Sequence, residues 1–370
     1  MSTTFEYLTT TNTLTLRLET PVDDYRQVYL TGNFNNWAVD QGRYRMHKMG
    51  PGKYIYSFPL NEVLPQRIEY KYIKGGWENK ELDEFGNSTH NRVLEDASGI
   101  VGDYVPRWLN YGLSFNVALK PLIEVVAHDF EMPQLNRKRR VVALLPHDYY
   151  QTNKRYPVVY MHDAQNLFDK GSPYGNWAID EKLAVLAEKG KGDVIVIAID
   201  HGGAGRIKEF SPVSHRRLGM SEGKKWVHFL AESLKPAIDQ RYRTLGDRVH
   251  TAVGGSSLGG LISIYAGLMF PHIYGRLMIF SPSLWLTKNV QFDTIQFFNP
   301  EPTKIYLYAG GKEGSSMVPN VKRFKKSIGS RGYDGTKVEF KTSIDPQGVH
   351  NEKFWGHEFP RAIEWLFFGV

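Results

Sequence analysis

The sequence predicts two architectures in one chain: a small all-β sandwich over residues 1–105, then an α/β domain over 121–370 with a mostly parallel sheet covered by helices on both faces. Three observations predict this. Short alternating apolar and polar runs at 13–18, 28–30, 54–58 and 68–73, separated by Gly, Pro and Asn clusters, fit antiparallel strands. Further on, continuous apolar runs alternate with helical periodicity, as expected of strands buried on both faces. Between the two, residues 106–120, around Pro106-Arg107-Trp108-Leu109-Asn110, fit neither pattern and read as a linker.

In the second domain, runs at 122–126, 140–146 and 156–161 read as strands, and 177 to about 190 as a helix. The run 193–199 is a fully buried strand, and 222–239 an amphipathic helix leading into a strand at 249–253. A buried helix over 261–270 follows, then strands at 277–280, 304–308 and 337–341. In such a sheet the functional loops lie at the carboxyl ends of the strands. No internal repeat or low-complexity tract interrupts the pattern.

The chain has 370 residues, 41% of them hydrophobic, enough for a large core and two domains. It has no cysteine, which removes disulfides, thiolate catalysis and cysteine-ligated metal. No basic segment followed by an apolar one opens it and no apolar run is long enough to span a membrane, so a cytoplasmic protein is expected. The net charge of +7 is spread along the chain, and clusters such as Arg137-Lys138-Arg139-Arg140 fit solvated strand edges; no nucleic-acid recognition motif accompanies them.

Gly255-Ser256-Ser257-Leu258-Gly259, following an apolar run and preceding an apolar helix, matches the strand–turn–helix pattern that exposes a serine nucleophile. The glycines fit where strand and helix crowd the backbone, and the helix N-terminus favours an oxyanion at Ser257. A Gly/Ser-rich turn would give the same letters, but not the flanking strand and helix. A serine hydroxyl needs a histidine within reach and a carboxylate to fix its tautomer. On this kind of turn the acid and then the histidine follow the serine in the chain. His350, in a loop after the last strand and before a final helix, is the expected base; His272 and His357 also follow Ser257 but fall on helical segments. Glu313, in the glycine-rich turn after strand 304–308, is the expected acid, with Asp345 as its rival and Asp334 a turn residue.

The oxyanion hole needs the N–H of Leu258 and one from the loop after strand 156–161, where Ala164 or Gln165 is placed to donate. His201-Gly202-Gly203 imitates an oxyanion sequence but lies one strand later, and lacks the spacing of a phosphate loop. Asn166, Tyr174, Trp177 and Trp285 are candidate pocket residues, and Arg206 and Glu209, in the loop after strand 193–199, either orient a polar substrate or serve in a structural ion pair. His128-Asp129 and His162-Asp163 lack metal-ligand spacing, so neither metal nor cofactor is expected.

Two resemblances add to this reading. Thr31-Gly32-Asn33-Phe34-Asn35-Asn36-Trp37, Tyr70-Lys71-Tyr72 and Trp77-Glu78 resemble the glycogen- and starch-binding type of immunoglobulin-like module. That implies α-glucan or another glycan as a partner, with Trp37 or Trp77 stacking on glucose if exposed; core packing is the plainer role for either ring. Residues 121–370, through Tyr156-Pro157-Val158-Val159-Tyr160-Met161-His162-Asp163, Phe280-Ser281-Pro282-Ser283-Leu284-Trp285 and Gly348-Val349-His350-Asn351-Glu352, resemble the esterase D-like family of α/β-hydrolases, which includes enterochelin and feruloyl esterases. Relatives carry a glycine-rich His-Gly turn where this chain has His162-Asp163-Ala164-Gln165-Asn166. The resemblance implies ester hydrolysis through an acyl-enzyme, on acyl esters of carbohydrate or on a catecholate siderophore ester. An acyltransferase with the same triad, or a non-catalytic glycan-binding scaffold, are the alternatives.

Overall fold

A computed structural model describes residues 13–39, 41–168, 172–214, 220–287, 302–329 and 338–369. The chain divides into two compact units, Met1–Phe115 and Asn116–Val370. Asp334 lies outside the described residues.

The described part of the first unit is built of strands and short turns. One sheet holds β1 (Thr15–Glu19), β3 (His47–Gly50), β4 (Lys53–Ser57) and β8 (Ile100–Tyr104) in the order β3-β4-β1-β8. The other runs β2 (Tyr29–Gly32), β5 (Ile68–Lys74), β6 (Gly76–Leu82), β9 (Arg107–Trp108), with β7 (Arg92–Leu94) also on β5. Inward residues of both sheets, among them Leu16, Leu18, Leu30, Tyr54, Ile68 and Tyr70, form one apolar cluster. The period-2 alternation of β1 and β4 places these side chains on one face.

Residues 106–120 are not a free linker. Arg107 and Trp108 pair with Leu82 and Glu81, and the Trp108 indole N–H donates to Thr20 Oγ1 at 2.9 Å. A two-residue strand is too short for its alternation to be read from sequence. Val117–Leu119 forms a 3-10 turn capped by Asn116 and belongs to the second unit.

The second unit is an eight-stranded mixed sheet. Its strands are β10 (Leu122–Met132), β11 (Arg137–Leu145), β12 (Val158–His162), β13 (Ile195–Ile199), β14 (Thr251–Ser256), β15 (Arg276–Phe280), β16 (Thr303–Gly310) and β17 (Val338–Asp345), ordered β10-β11-β13-β12-β14-β15-β16-β17. β10 and β11 form an antiparallel hairpin, β11 is antiparallel to β13, and all later pairs are parallel. Every residue of β12, β13 and β14 is buried, as in a sheet covered on both faces.

Helices α1 (Ile179–Glu188), α2 (Arg206–Glu209), α3 (Gly223–His228), α4 (Lys235–Arg241), α5 (Leu258–Met269), α6 (Met317–Gly329) and α7 (Glu352–Ile363) join the strands. The helix predicted over 222–239 is α3 and α4 joined by a π-helical stretch, Phe229–Leu234. Pro236, just past that stretch, has no N–H to donate to the carbonyl four residues back, so a regular α-helical bond is missing where the stretch ends. Among the described residues no helix is long and apolar enough to cross a membrane.

Candidate active site

Ser257 joins β14 to α5 with φ 56° and ψ −119°, a backbone that L-residues rarely adopt. Parallel pairing of β14 with β15 holds this turn, and the Ser257 N–H donates to the Phe280 carbonyl at 3.0 Å. Close packing explains the glycines: a Cβ on Gly255 would lie 3.0 Å from the carbonyl carbon of Gly259. The Ser257 hydroxyl hydrogen-bonds the Ser283 hydroxyl at 3.2 Å, and the Ser283 N–H donates back to the Ser257 carbonyl at 3.0 Å.

Glu313 and His350 meet. Nδ1 of His350 lies 2.6 Å from Glu313 Oε2, with the Glu313 side chain wholly buried and the imidazole 40% exposed. The other carboxylate oxygen accepts from the Ser281 hydroxyl and the Gly310 N–H, both at 2.6 Å. The Trp355 indole N–H donates to Ser281 Oγ at 2.9 Å, and the Trp355 ring stands edge-on to His350 with centroids 4.8 Å apart. A carboxylate bound this way fixes Nδ1 as the donor and leaves Nε2 as the basic nitrogen. The loops carrying acid and base are stitched through Gly311 N–H to Asp345 O (2.7 Å) and Lys312 N–H to Gly348 O (2.9 Å). Asp345 itself accepts from the Gln347 N–H at 2.9 Å, a turn contact.

Leu258 opens α5, so its N–H has no partner within the helix. The 3-10 turn Ala164–Asn166 after β12 lies alongside: a Cβ on Gly259 would come within 3.2 Å of Asp163 Oδ2 and 3.3 Å of His162 Cβ. Asp163 begins this turn with φ 62°. His201-Gly202-Gly203 is used otherwise, for the Gly203 N–H donates to His201 Nδ1 and Gly202 packs on the Arg139–Glu209 pair.

Several expected pocket residues are engaged in holding the frame. Arg206 does not pair with Glu209; its guanidinium grips both oxygens of Asp163 at 2.6 and 2.8 Å. Burial opposes that guanidinium's charge, but the Asp163 carboxylate outweighs it and the pKa is raised. Glu209 is fully buried and paired with Arg137 and Arg139. Trp177 is buried and stacked on Phe280 at 5.5 Å, so it supports the site from beneath instead of forming an open wall. The Gln165 amide is clamped to the backbone N–H and carbonyl of His201. Asn166 donates to Glu352 Oε1 at 3.2 Å and accepts from the Ser172 hydroxyl at 2.7 Å. Tyr174 and Trp285 are exposed.

Sequence reasoning missed Asp163, Ser281, Ser283, Glu352 and Trp355. Ser281, at φ 44° right after a buried strand, left a trace in the Ser-Pro-Ser motif; the others are defined by partners far away in the chain. Among the described residues no cluster of three or more His, Cys, Asp or Glu could hold a metal ion.

A mixed sheet in this strand order, with a serine on a strained turn at the end of a central strand, is the arrangement of the α/β-hydrolase fold. Residues 132–366 match the family described as "Putative esterase", and the chain belongs to it. An uncharacterized protein, YbbA, of Bacillus subtilis is 24% identical over 62% of this chain and 92% of its own length. An amylopullulanase of Thermoanaerobacter thermohydrosulfuricus is 36% identical over 86 residues, 22% of this chain and 6% of that protein. Among solved structures, the enterobactin esterase of Shigella flexneri superimposes with TM-score 0.53 at 16% identity, covering 96% of this chain and 92% of that one. A ferulic acid esterase of Anaeromyces mucronatus gives TM-score 0.50 at 20% identity, covering 68% and 92%.

Proposed function

We propose that this esterase works through an acyl-enzyme on Ser257, with His350 as general base and Glu313 as its orienting acid. The observation that carries the reading is the 2.6 Å contact between a fully buried, doubly supported Glu313 and His350, in a unit where Ser257 sits at positive φ between a buried strand and the N-terminus of an α-helix. In this mechanism the Ser257 hydroxyl swings from Ser283 toward His350. Its proton passes to Nε2 as Oγ bonds to the ester carbonyl carbon. The N–H of Leu258, with that of Ala164 or Gln165, stabilises the oxyanion. Collapse breaks the bond to the alcohol, which leaves with the proton from His350; water, deprotonated by the same imidazole, then releases the acid and restores Ser257.

The substrate class proposed is an aromatic or acetyl ester of a carbohydrate, or a catecholate siderophore ester. The exposed rings of Tyr174 and Trp285 support an acyl group with a flat apolar face. A second, separate reading concerns the first unit: an immunoglobulin-like module that binds α-glucan. What favours it is the pair Trp37 and Trp77, with ring centroids 6.2 Å apart, Trp77 exposed and Trp37 at φ 59° on a turn.

The decisive test is hydrolysis of a chromogenic acetate ester and of methyl ferulate by wild type and Ser257→Ala. Loss of about 10⁴-fold or more in turnover is expected, since members of such a unit act together. A variant as active as wild type would overturn the mechanism.

A further inference from the structure

Glu352 is a buried carboxylate that the proposed reaction does not use. It follows His350 by two residues and opens α7, where an acidic side chain in the first turn would ordinarily stay in solvent and still favour the helix N-terminus. Here it turns inward. Its Oε1 accepts from the Asn166 side-chain amide, and Asn166 closes the 3-10 turn that presents the Ala164 and Gln165 N–H groups. The other groups of Asn166 are also committed: Oδ1 to Ser172, and the main-chain carbonyl to the Trp177 N–H at 2.9 Å. Gly175 passes beside Glu352, a Cβ there standing in ordinary contact 3.4 Å from that of Glu352, and its φ of 109° is a conformation that side chains rarely adopt.

Resting on the mechanism above, we propose that Glu352 and Asn166 form a positioning bridge that ties the loop bearing the base to the turn bearing the second oxyanion donor. The two loops come from opposite sides of β14 in the strand order and share no main-chain hydrogen bond among the described residues. Nucleophilic attack needs proton acceptor and oxyanion donors aligned on one carbonyl, and a misplacement of about 1 Å can cost on the order of 10²-fold in rate. Burial of Glu352 raises its pKa, opposed by its own backbone N–H and by Arg206 and reinforced by Asp163; His350, when it carries a proton, also favours the carboxylate.

The test uses the full chain with Glu352→Ala, Glu352→Gln, Asn166→Ala and the double alanine variant. Each single alanine change is expected to lower kcat about 10- to 100-fold with KM moving less than about threefold, and the double variant to be no worse than the poorer single. Glu352→Gln, which keeps an acceptor oxygen, is expected within about threefold of wild type. Amide hydrogen exchange over residues 164–167 should quicken in Glu352→Ala but not in Glu352→Gln, a readout independent of ester turnover. Additive losses of kcat, or unchanged exchange in Glu352→Ala, would overturn the bridge. Absence of esterase activity in wild type would instead overturn the mechanism, with the exchange result still judging the bridge.

Discussion

Replacing His162 with Phe should remove an acid sensitivity built into the second unit. His162 ends β12 and is fully buried between Phe210 and Trp226, with ring centroids 5.1 and 5.8 Å away. Among the described residues neither ring nitrogen has a hydrogen-bond partner. Burial pushes its pKa down from 6.5 to about 4, with the Asp163 charge opposing and Arg206 reinforcing the shift. The unfolded chain therefore binds a proton that the fold refuses between those two values. Stability is complete above about pH 6.5 and is lost as pH falls toward 4. The width of that pH window sets the loss on the order of 3 kcal/mol. Phe keeps the aromatic packing without the titration. The assay is urea unfolding from pH 7.5 to 4.5, followed by tryptophan fluorescence, to which Trp226 contributes beside the substituted ring. Ionising groups remote from His162 cancel in the difference between the two proteins, and the nearby Asp163–Arg206 pair is present in both. Parallel pH dependences for wild type and His162→Phe would refute the reasoning.

Two further outcomes follow from local geometry. Gly255→Ala sets a methyl against the backbone of Gly259, which cannot yield as a side chain would, and should cost about 1–3 kcal/mol. Calorimetry would read this as about 2–4 °C in Tm for each kcal/mol, and an unchanged Tm would deny the close strand–helix approach. Trp37→Ala and Trp77→Ala should each weaken retention on soluble α-glucan in affinity electrophoresis while ester hydrolysis persists; unchanged retention would assign the ring pair to packing.

What was legible in the sequence were features that announce themselves locally. The turn at Ser257 could be read because its glycines sit between an apolar strand and an apolar helix. The contact of Glu313 with His350 could be anticipated because each occupies the loop just past a strand. For Arg206 and Glu209 the sequence allowed ion pairing as well as substrate contact, but could not name the partners. α2 spans only four residues, and the two side chains find Asp163 and Arg137. Trp177 misled because an aromatic near a site reads the same whether it lines a pocket or lies beneath it. Glu352 was passed over because its partner Asn166 lies far back in the sequence, and no periodicity connects a helix start with a turn on the other side of the nucleophile strand.

The order in which these parts occur along the chain also bears on biosynthesis. β12, β13 and β14, with the serine turn, are synthesised before Glu313, His350 and the Trp355 that braces Ser281. A nascent chain can thus assemble the middle of its sheet while its serine still lacks acid, base and brace. On the proposed mechanism, hydrolytic power arrives only when α7 docks, and incomplete translation products would carry an inert serine in the crowded surroundings of the ribosome.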